Sequence, residues 1–262
     1  MKMPSWQLRY AREEIGAMSQ SEAYNDAHRS FLQLIAANRL LTAPKVNAAY
    51  EAACSKYGVG SCGGLQQFVM AINASLSPLH LIIKKSVQED LREDKSCFVL
   101  VNTISSDVLK GLSSRSAWED MLLERIISGI VESEEGCIAE VDAVNMGTGL
   151  QGHRVTASES EAAIARMIKS KLIIKHDDML LLSGLTLSEQ QQQLEANFPD
   201  ICVKCVLCKI ITLQGYSCDQ CNSRVHRSCG RKLWRKAERL PFCPGCNAVW
   251  PRVNSVSASG GE

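Results

Sequence analysis

Long apolar runs are missing from this chain of 262 residues. No stretch approaches the roughly 18 consecutive apolar residues that span a bilayer, which excludes a membrane helix from the expected fold. An export signal is missing too, because Met1–Gln20 carries scattered charges and no apolar core. The chain is therefore expected to be soluble and intracellular, with no membrane partner. Net charge is almost absent, at +1, and the 45% hydrophobic and 22% charged content is ordinary for a globular protein. That length suits two or three domains.

A disulfide scaffold is also excluded, although the chain has 12 cysteines. Eight lie between Cys202 and Cys246, and only Cys54, Cys62, Cys97 and Cys137 lie upstream. Clustered cysteines in a chain without an export signal point to metal binding in a reducing compartment. The four upstream thiols read as small buried hydrophobes.

What is present sits in the last fifth of the chain. Four short pairs follow one another: Cys205 with Cys208, Cys218 with Cys221, His226 with Cys229, and Cys243 with Cys246. Two intervening residues let one tight turn present two donors to one tetrahedral ion. Four pairs imply two zinc ions. In a cross-braced module the first and third pairs hold one ion, and the second and fourth hold the other. Cys205, Cys208, His226 and Cys229 then form one site, and Cys218, Cys221, Cys243 and Cys246 the second. Each is full with four protein ligands, so neither leaves room for a reactive water. Cys202 forms a competing pair with Cys205. The register using Cys208 is preferred because it lies closer to the next pair.

Charge is unevenly shared. From Cys202 to Arg252 there are ten Lys or Arg against two acids, whereas the remainder has nineteen against twenty-six. Part of the basic excess balances thiolates, and the rest is either a solvated face or a surface for an acidic partner or nucleic acid.

Upstream, Asn25 and Asp26 open a helix with Phe31, Leu32, Leu34 and Ile35 at helical spacing. A second helix spans Lys45–Tyr57 and ends at Gly58, and Leu65, Phe68, Val69 and Ile72 mark a third. Two β-like runs, Leu79–Val87 and Cys97–Asn102, flank a charged hairpin tip at Gln88–Lys95. Three helices and a hairpin are the order of a winged-helix domain. The theme returns with Trp118, Leu122, Ile126 and Ile130 on one helix, an element at Ile138–Val144, and a helix over Ser158–Ser170 burying Ala162, Ile164, Ala165 and Ile168. A hairpin follows, turning at Asp177 and Asp178. The third helix of the first unit has no basic residue, and that of the second sets Arg166 and Lys169 beside acids, so protein contact is favoured over DNA reading. Leu185–Phe198 reads as a solvated connecting helix that Pro199 stops.

The expected fold class is α+β, with tandem winged-helix domains followed by a cross-braced two-zinc domain. The expected boundaries are an N-terminal extension at 1–22, winged helices at 23–103 and 104–184, a linker helix at 185–200, the zinc domain at 201–252 and a disordered tail at 253–262. Of the two module types with this ligand order, the Cys-Pro-Gly-Cys ending favours a RING over a PHD finger, which carries Trp where Pro241 stands. A RING offers a ubiquitin-conjugating enzyme a shallow apolar groove. Its usual positions are filled by Leu207, Leu233 and Pro244, each of which could equally pack a metal site. Asn247 departs from the Arg or Lys that active RINGs often carry after the last ligand. No residue is a candidate catalytic nucleophile, and His80, His153 and His176 have no ligand partners nearby in sequence.

Read together, the module and its flanks resemble the RING-bearing non-SMC element of the SMC five/six complex, a DNA-repair relative of cohesin and condensin. Three stretches carry the resemblance: His28-Arg29-Ser30-Phe31-Leu32-Gln33-Leu34, Leu213-Gln214-Gly215-Tyr216-Ser217-Cys218, and Cys243-Pro244-Gly245-Cys246-Asn247-Ala248-Val249-Trp250-Pro251. It covers most of the chain but neither the N-terminal extension nor Cys202, and its spacing supports the Cys205–Cys208 register. The resemblance implies a nuclear protein whose winged helices dock a MAGE-type subunit beside a kleisin subunit, with DNA contact through the complex. It also implies ubiquitin ligase activity enhanced by the MAGE partner. The rival reading is a structural adaptor whose zinc module is only an interaction surface.

Overall fold

Asn25 caps the first helix, as the sequence predicts. Its side-chain oxygen accepts from the N–H groups of Ala27 and His28, at 3.0 and 3.4 Å, capping helix α1 (Asp26–Asn38). The computed structural model describes residues 24–59, 63–103, 115–235 and 242–249. The expectations for the extension 1–22, for Cys62 and Pro241, for Trp250 and Pro251, and for the tail 253–262 lie outside those residues. Among the described residues, no helix is long and apolar enough to cross a membrane.

After α1 come strand β1 (Leu40–Thr42), helix α2 (Ala43–Tyr57), helix α3 (Leu65–Leu76) and strands β2 (Leu81–Gln88) and β3 (Lys95–Asn102). Gly58 ends α2 in the left-handed conformation at φ 63°, which glycine adopts without steric penalty. The sheet order is β1-β3-β2, with Leu40 opposite Val99. This is a winged helix, and β1, too short for a sequence signal, completes its sheet. Phe31, Ile35, Phe68, Ile72 and Ile83 are its buried core. His28 is buried as well, stacked on Phe68 with ring centroids 4.0 Å apart. Leu34, predicted on the apolar face, is 43% exposed.

A second winged helix repeats that order: α4 (Ala117–Glu132), β4 (Ile138–Ala139), α5 (Glu140–Thr148), α6 (Ala157–Lys169), β5 (Ile173–His176) and β6 (Met179–Leu182). Its sheet runs β4-β6-β5, the same arrangement as the first. Leu122, Ile126 and Ile130 are fully buried, each contributing about 1.5–3 kcal/mol by transfer from water. On α6 the buried face is Ser160, Ala163, Ile164 and Met167, with Ile168 half-buried against the core, which corrects the expectation for Ala162 and Ala165, both exposed. Alanines on both sides of Ile164 leave the phase of the stripe ambiguous, and Met167 decides it.

Contacts divide the chain into two units, Met1–Lys85 with Cys97–Ser105, and Ser86–Ser96 with Ser106–Glu262. The β2–β3 tip thus groups with the second unit, which also holds the C-terminal module. Leu185–Phe198 is not a solvated connecting helix. It forms two short helices, α7 (Gly184–Glu189) and α8 (Gln191–Asn197), and Leu185, Thr186, Leu187 and Leu194 are buried. The reason is a local cap and a shared core. Ser183 Oγ accepts from Thr186 N–H at 3.0 Å, and one apolar cluster joins Leu187 and Leu194 to Leu122, Ile126, Cys202, Ile211 and Leu213.

Glu119 ties the start of α4 to α6. Its carboxylate accepts from the N–H of Ser116 at 2.8 Å, closing a capping box, and from Arg166. Burial opposes ionisation there, but the Ser116 and Arg166 bonds outweigh it and hold the pKa below the ordinary 4.5. A depressed carboxylate stabilises the fold above its unfolded pKa and loses that contribution as pH falls through the folded value. Glu119→Ala should therefore lower stability by about 1–2 kcal/mol at pH 7. The gap from wild type should shrink below pH 4.5, as followed by urea unfolding at several pH values.

Candidate metal centres

Three of the four ligand pairs are built by one backbone device. In the first, between β7 (Val203–Lys204) and β8 (Ile211–Thr212), Cys205 N–H donates to Ile210 O and Lys209 N–H returns to Cys205 O, both at 2.8 Å. In the second, between β9 (Tyr216–Ser217) and β10 (Arg224–Val225), Cys218 N–H donates to Ser223 O and Asn222 N–H to Cys218 O, both at 2.9 Å. In the third, Cys243 N–H donates to Ala248 O at 2.7 Å and Asn247 N–H to Cys243 O at 2.9 Å. The residue after each second cysteine is left-handed: Lys209 at φ 62°, Asn222 at 55° and Asn247 at 61°. Each turn aims two sulfurs at one point. The remaining pair uses helix α9 (Arg227–Trp234), with His226 at its N-cap and Cys229 in its first turn.

Folding gathers these donors in two groups. Cys205, Cys208, His226 and Cys229 form one, and Cys218, Cys221, Cys243 and Cys246 the other, with all ligand atoms of a group within 4.8 Å of one another. The pairs interleave along the chain, which is the cross-brace. Cys218 Sγ lies 3.7 Å from Cys246 Sγ, and Cys221 Sγ lies 3.6 Å from Cys243 Sγ. Those separations are too long for disulfides but match the edge of about 3.8 Å expected for a tetrahedron with zinc–sulfur bonds near 2.3 Å.

The donor chemistry fits zinc too. His226 is fully buried, and its Nε2 lies 3.1 Å from the carbonyl of Ile211. A carbonyl only accepts, so Nε2 carries the proton and Nδ1 turns its lone pair to the group, 3.2 Å from Cys208 Sγ. Hydrogen bonds from Cys208 and Cys229 hold the Cys205 thiol far below the ordinary range, while contact with Cys205 pushes Cys229 far above it. A divalent cation resolves that conflict by letting all three thiols ionise. In the second group the Ser223 hydroxyl, 3.1 Å away, and the Ser223 backbone hold Cys221 down to about 6. Gly245 N–H donates to Cys243 Sγ at 3.3 Å, and a side chain at Gly245 would strike Ser223. The module accordingly carries two zinc ions, both with closed shells.

Cys202 belongs to neither group. It is buried in the apolar cluster beside Ile211 and Leu213, and burial pushes its thiol up to about 11. Cys97 and Cys137 are buried as predicted, and Cys54 is half-buried. Leu207 and Leu233 are 39% and 37% exposed, and Pro244 is exposed in the third turn. In the sequence motif Leu213–Cys218, Gly215 is required because a Cβ there would lie 2.5 Å from Val225 O.

Sequence reasoning missed a set of acids and carbonyls far upstream. Glu89, Asp90, Leu91 and Asp94 in the β2–β3 tip all hydrogen-bond to the module. Glu89 is 3% exposed and accepts from the N–H groups of Leu213, at 3.0 Å, and Gln214, at 3.3 Å, and from the hydroxyl of Thr212. Burial pushes its carboxyl up, against the opposing pull of His226 and these donors. Asp94 is 6% exposed and accepts from Ser228 N–H at 2.9 Å. Arg227 donates to the carbonyls of Asp90 and Leu91 at 3.1 and 3.2 Å. A charged tip carries no local sign that it will be buried.

Tandem winged helices followed by a cross-braced module define a RING-like zinc protein. The family described as the Nse1 non-SMC component of the SMC5-6 complex matches residues 28–198, and a RING-like domain matches 205–246. The chain belongs to that Nse1 family. Similar proteins include the "Non-structural maintenance of chromosomes element 1 homolog" of Bos taurus, 29% identical over 86% of this chain and 84% of that one. The Homo sapiens protein of the same name is 27% identical over 90% and 88%. A chain in a solved "Nse1-Nse3-Nse4 complex" superposes with a TM-score of 0.74 at 25% identity, covering 89% of this chain and 99% of that one.

Metal analysis of purified variants checks the ligand groups. Cys205→Ser should bind one zinc instead of two, whereas Cys202→Ser should keep both and lose about 1–3 kcal/mol of stability from a hydroxyl in an apolar cluster. A single zinc in Cys202→Ser would reverse the register.

Proposed function

We propose that this chain is a RING-type ubiquitin ligase subunit of a nuclear SMC five/six DNA-repair complex. In this reading Cys205, Cys208, His226 and Cys229 ligate one structural zinc, and Cys218, Cys221, Cys243 and Cys246 the other. The observation that carries the ligase reading is that Leu207, in the first ligand turn, and Leu233, on α9, are exposed to solvent, as are Phe242 and Val249 of the same module. Together with Pro244 they are the residues assigned to the conjugating enzyme. The chain supplies no nucleophile. It recruits the charged conjugating enzyme and aligns its thioester for attack by a substrate lysine, so its contribution is orientation.

The winged helices dock a MAGE-type subunit, with a kleisin subunit in the same assembly. The "Nse1-Nse3-Nse4 complex" that contains the structural relative supports this arrangement. The absence of Lys and Arg from α3 supports protein docking over base reading, and leaves DNA contact to the complex as a whole.

One observation favours the second reading, a non-catalytic adaptor. Asn247 stands where a cation would lock the conjugate, so transfer by the isolated chain is weak and depends on the partner. Discharge of ubiquitin from a charged conjugating enzyme onto free lysine tests this. With the MAGE-type partner present, Leu207→Ala and Leu233→Ala should each slow discharge roughly tenfold while both zincs stay bound, and Asn247→Arg should speed it. No discharge from a zinc-loaded complex would leave the adaptor reading standing.

A further inference from the structure

We propose that Glu89 and Asp94, in the β2–β3 tip, are positioning residues of the Cys205–Cys208–His226–Cys229 site, one holding each half of its ligand set. The inference goes beyond the ligase reading and does not rest on it, because it concerns metal retention and not transfer.

Two ligands of this site, Cys205 and Cys208, come from the turn between β7 and β8. The other two, His226 and Cys229, come from the start of α9. Two bonds join the halves directly, Val206 N–H to Arg224 O at 3.0 Å and His226 Nε2 to Ile211 O at 3.1 Å, and neither reaches α9 beyond its N-cap. The tip touches both. Glu89 takes three donors from Thr212, which ends β8, and from Leu213 and Gln214, which follow it. The residue before them, Ile211, supplies the carbonyl that sets the His226 tautomer. Glu89 Oε1 also approaches within 3.8 Å of His226 Nε2, the edge of the ring that faces away from the ligand group. A carboxylate behind a ligating imidazole is a recurrent outer-shell arrangement.

Asp94 completes the other half. His226 supplies no side-chain cap to α9. The Asp94 carboxylate, from 134 residues upstream, accepts instead from the N–H of Ser228 at 2.9 Å, where an acid also meets the positive end of the helix dipole. Its other oxygen, Oδ1, is buried without a protein hydrogen-bond partner. Burying a carboxylate so incompletely paired is unfavourable, and the cap is what it provides in return. Arg227, the first residue of α9, is held by the tip carbonyls of Asp90 and Leu91. The tip itself is anchored within the same unit. Ser86 donates to Gly184 O at 2.9 Å, and Gln88 accepts from Gly184 N–H at 2.9 Å. The second ligand group receives no hydrogen bond from the tip among the described residues, so the effect is confined to one site.

The test uses the full-length zinc-loaded chain and follows zinc release into excess chelator, with the two sites told apart by cadmium-113 NMR of the cadmium-substituted chain. Glu89→Ala and Asp94→Ala should each speed release from the Cys205 site by about tenfold or more, with the Cys218 site within about twofold of wild type. Glu89→Gln, which keeps the shape and one acceptor oxygen, should fall between wild type and Glu89→Ala. Glu119→Ala is the reference for general destabilisation: it should lower Tm without favouring release from either site. Wild-type release from the Cys205 site in Glu89→Gln and Asp94→Ala would overturn the proposal. So would equal acceleration at both sites in the pattern of Glu119→Ala. If Glu89→Ala does not fold, Glu89→Gln decides.

Discussion

Metal coordination is the constraint on which the C-terminal module depends, because its described residues form almost no hydrophobic core of their own. Its private buried cluster consists of Cys205, Cys218, Cys243 and a single aliphatic side chain, Val225. The strands around it are two residues long. A segment of that size cannot offset chain entropy by apolar burial, and ligand–metal bonds supply the missing free energy. The module's other buried aliphatics, Ile211 and Leu213, point into the core of the second winged helix. The module is thus held from inside by ions and from outside by its neighbours within the same unit.

That division explains what could be read from the sequence. Metal ligation leaves a local trace, since a turn that delivers two donors needs fixed spacing, and all four pairs were visible. Helices with a strong apolar stripe were visible for the same reason, as Leu122, Ile126 and Ile130 demonstrate. Gly58 and the Asn25 cap marked helix ends because their roles are set by the backbone next to them. The phase of α6 is ambiguous in the sequence, because alanines make two stripes nearly equivalent.

Features created only by tertiary packing left no trace. Gln88, Glu89 and Asp94 look like a solvated turn until Gly184, the residues after β8 and the start of α9 bring N–H groups to meet them. Leu185–Phe198 looked like a connector because its glutamines are polar, yet Leu185 and Leu187 lie at 0% and 1% exposure. Cys202 shows the converse. Its spacing from Cys205 imitates a ligand pair, and only its place in an apolar cluster separates a structural thiol from a metal ligand.

The same geometry bears on Asn247. Each cysteine turn closes through a left-handed residue, and Asn is among the few non-glycine residues that adopt that conformation readily. Backbone preference therefore accounts for Asn222 and Asn247 equally well. It does not compel Asn, however, since Lys209 holds the same conformation at φ 62° in the first turn. A cationic side chain is compatible with this turn, so its absence after Cys246 is not demanded by the fold. In the ligase reading proposed above, a module that can hold a cation there but lacks one would take that contribution from a bound partner. On that reading, the weak transfer of the isolated chain would rise when the complex assembles.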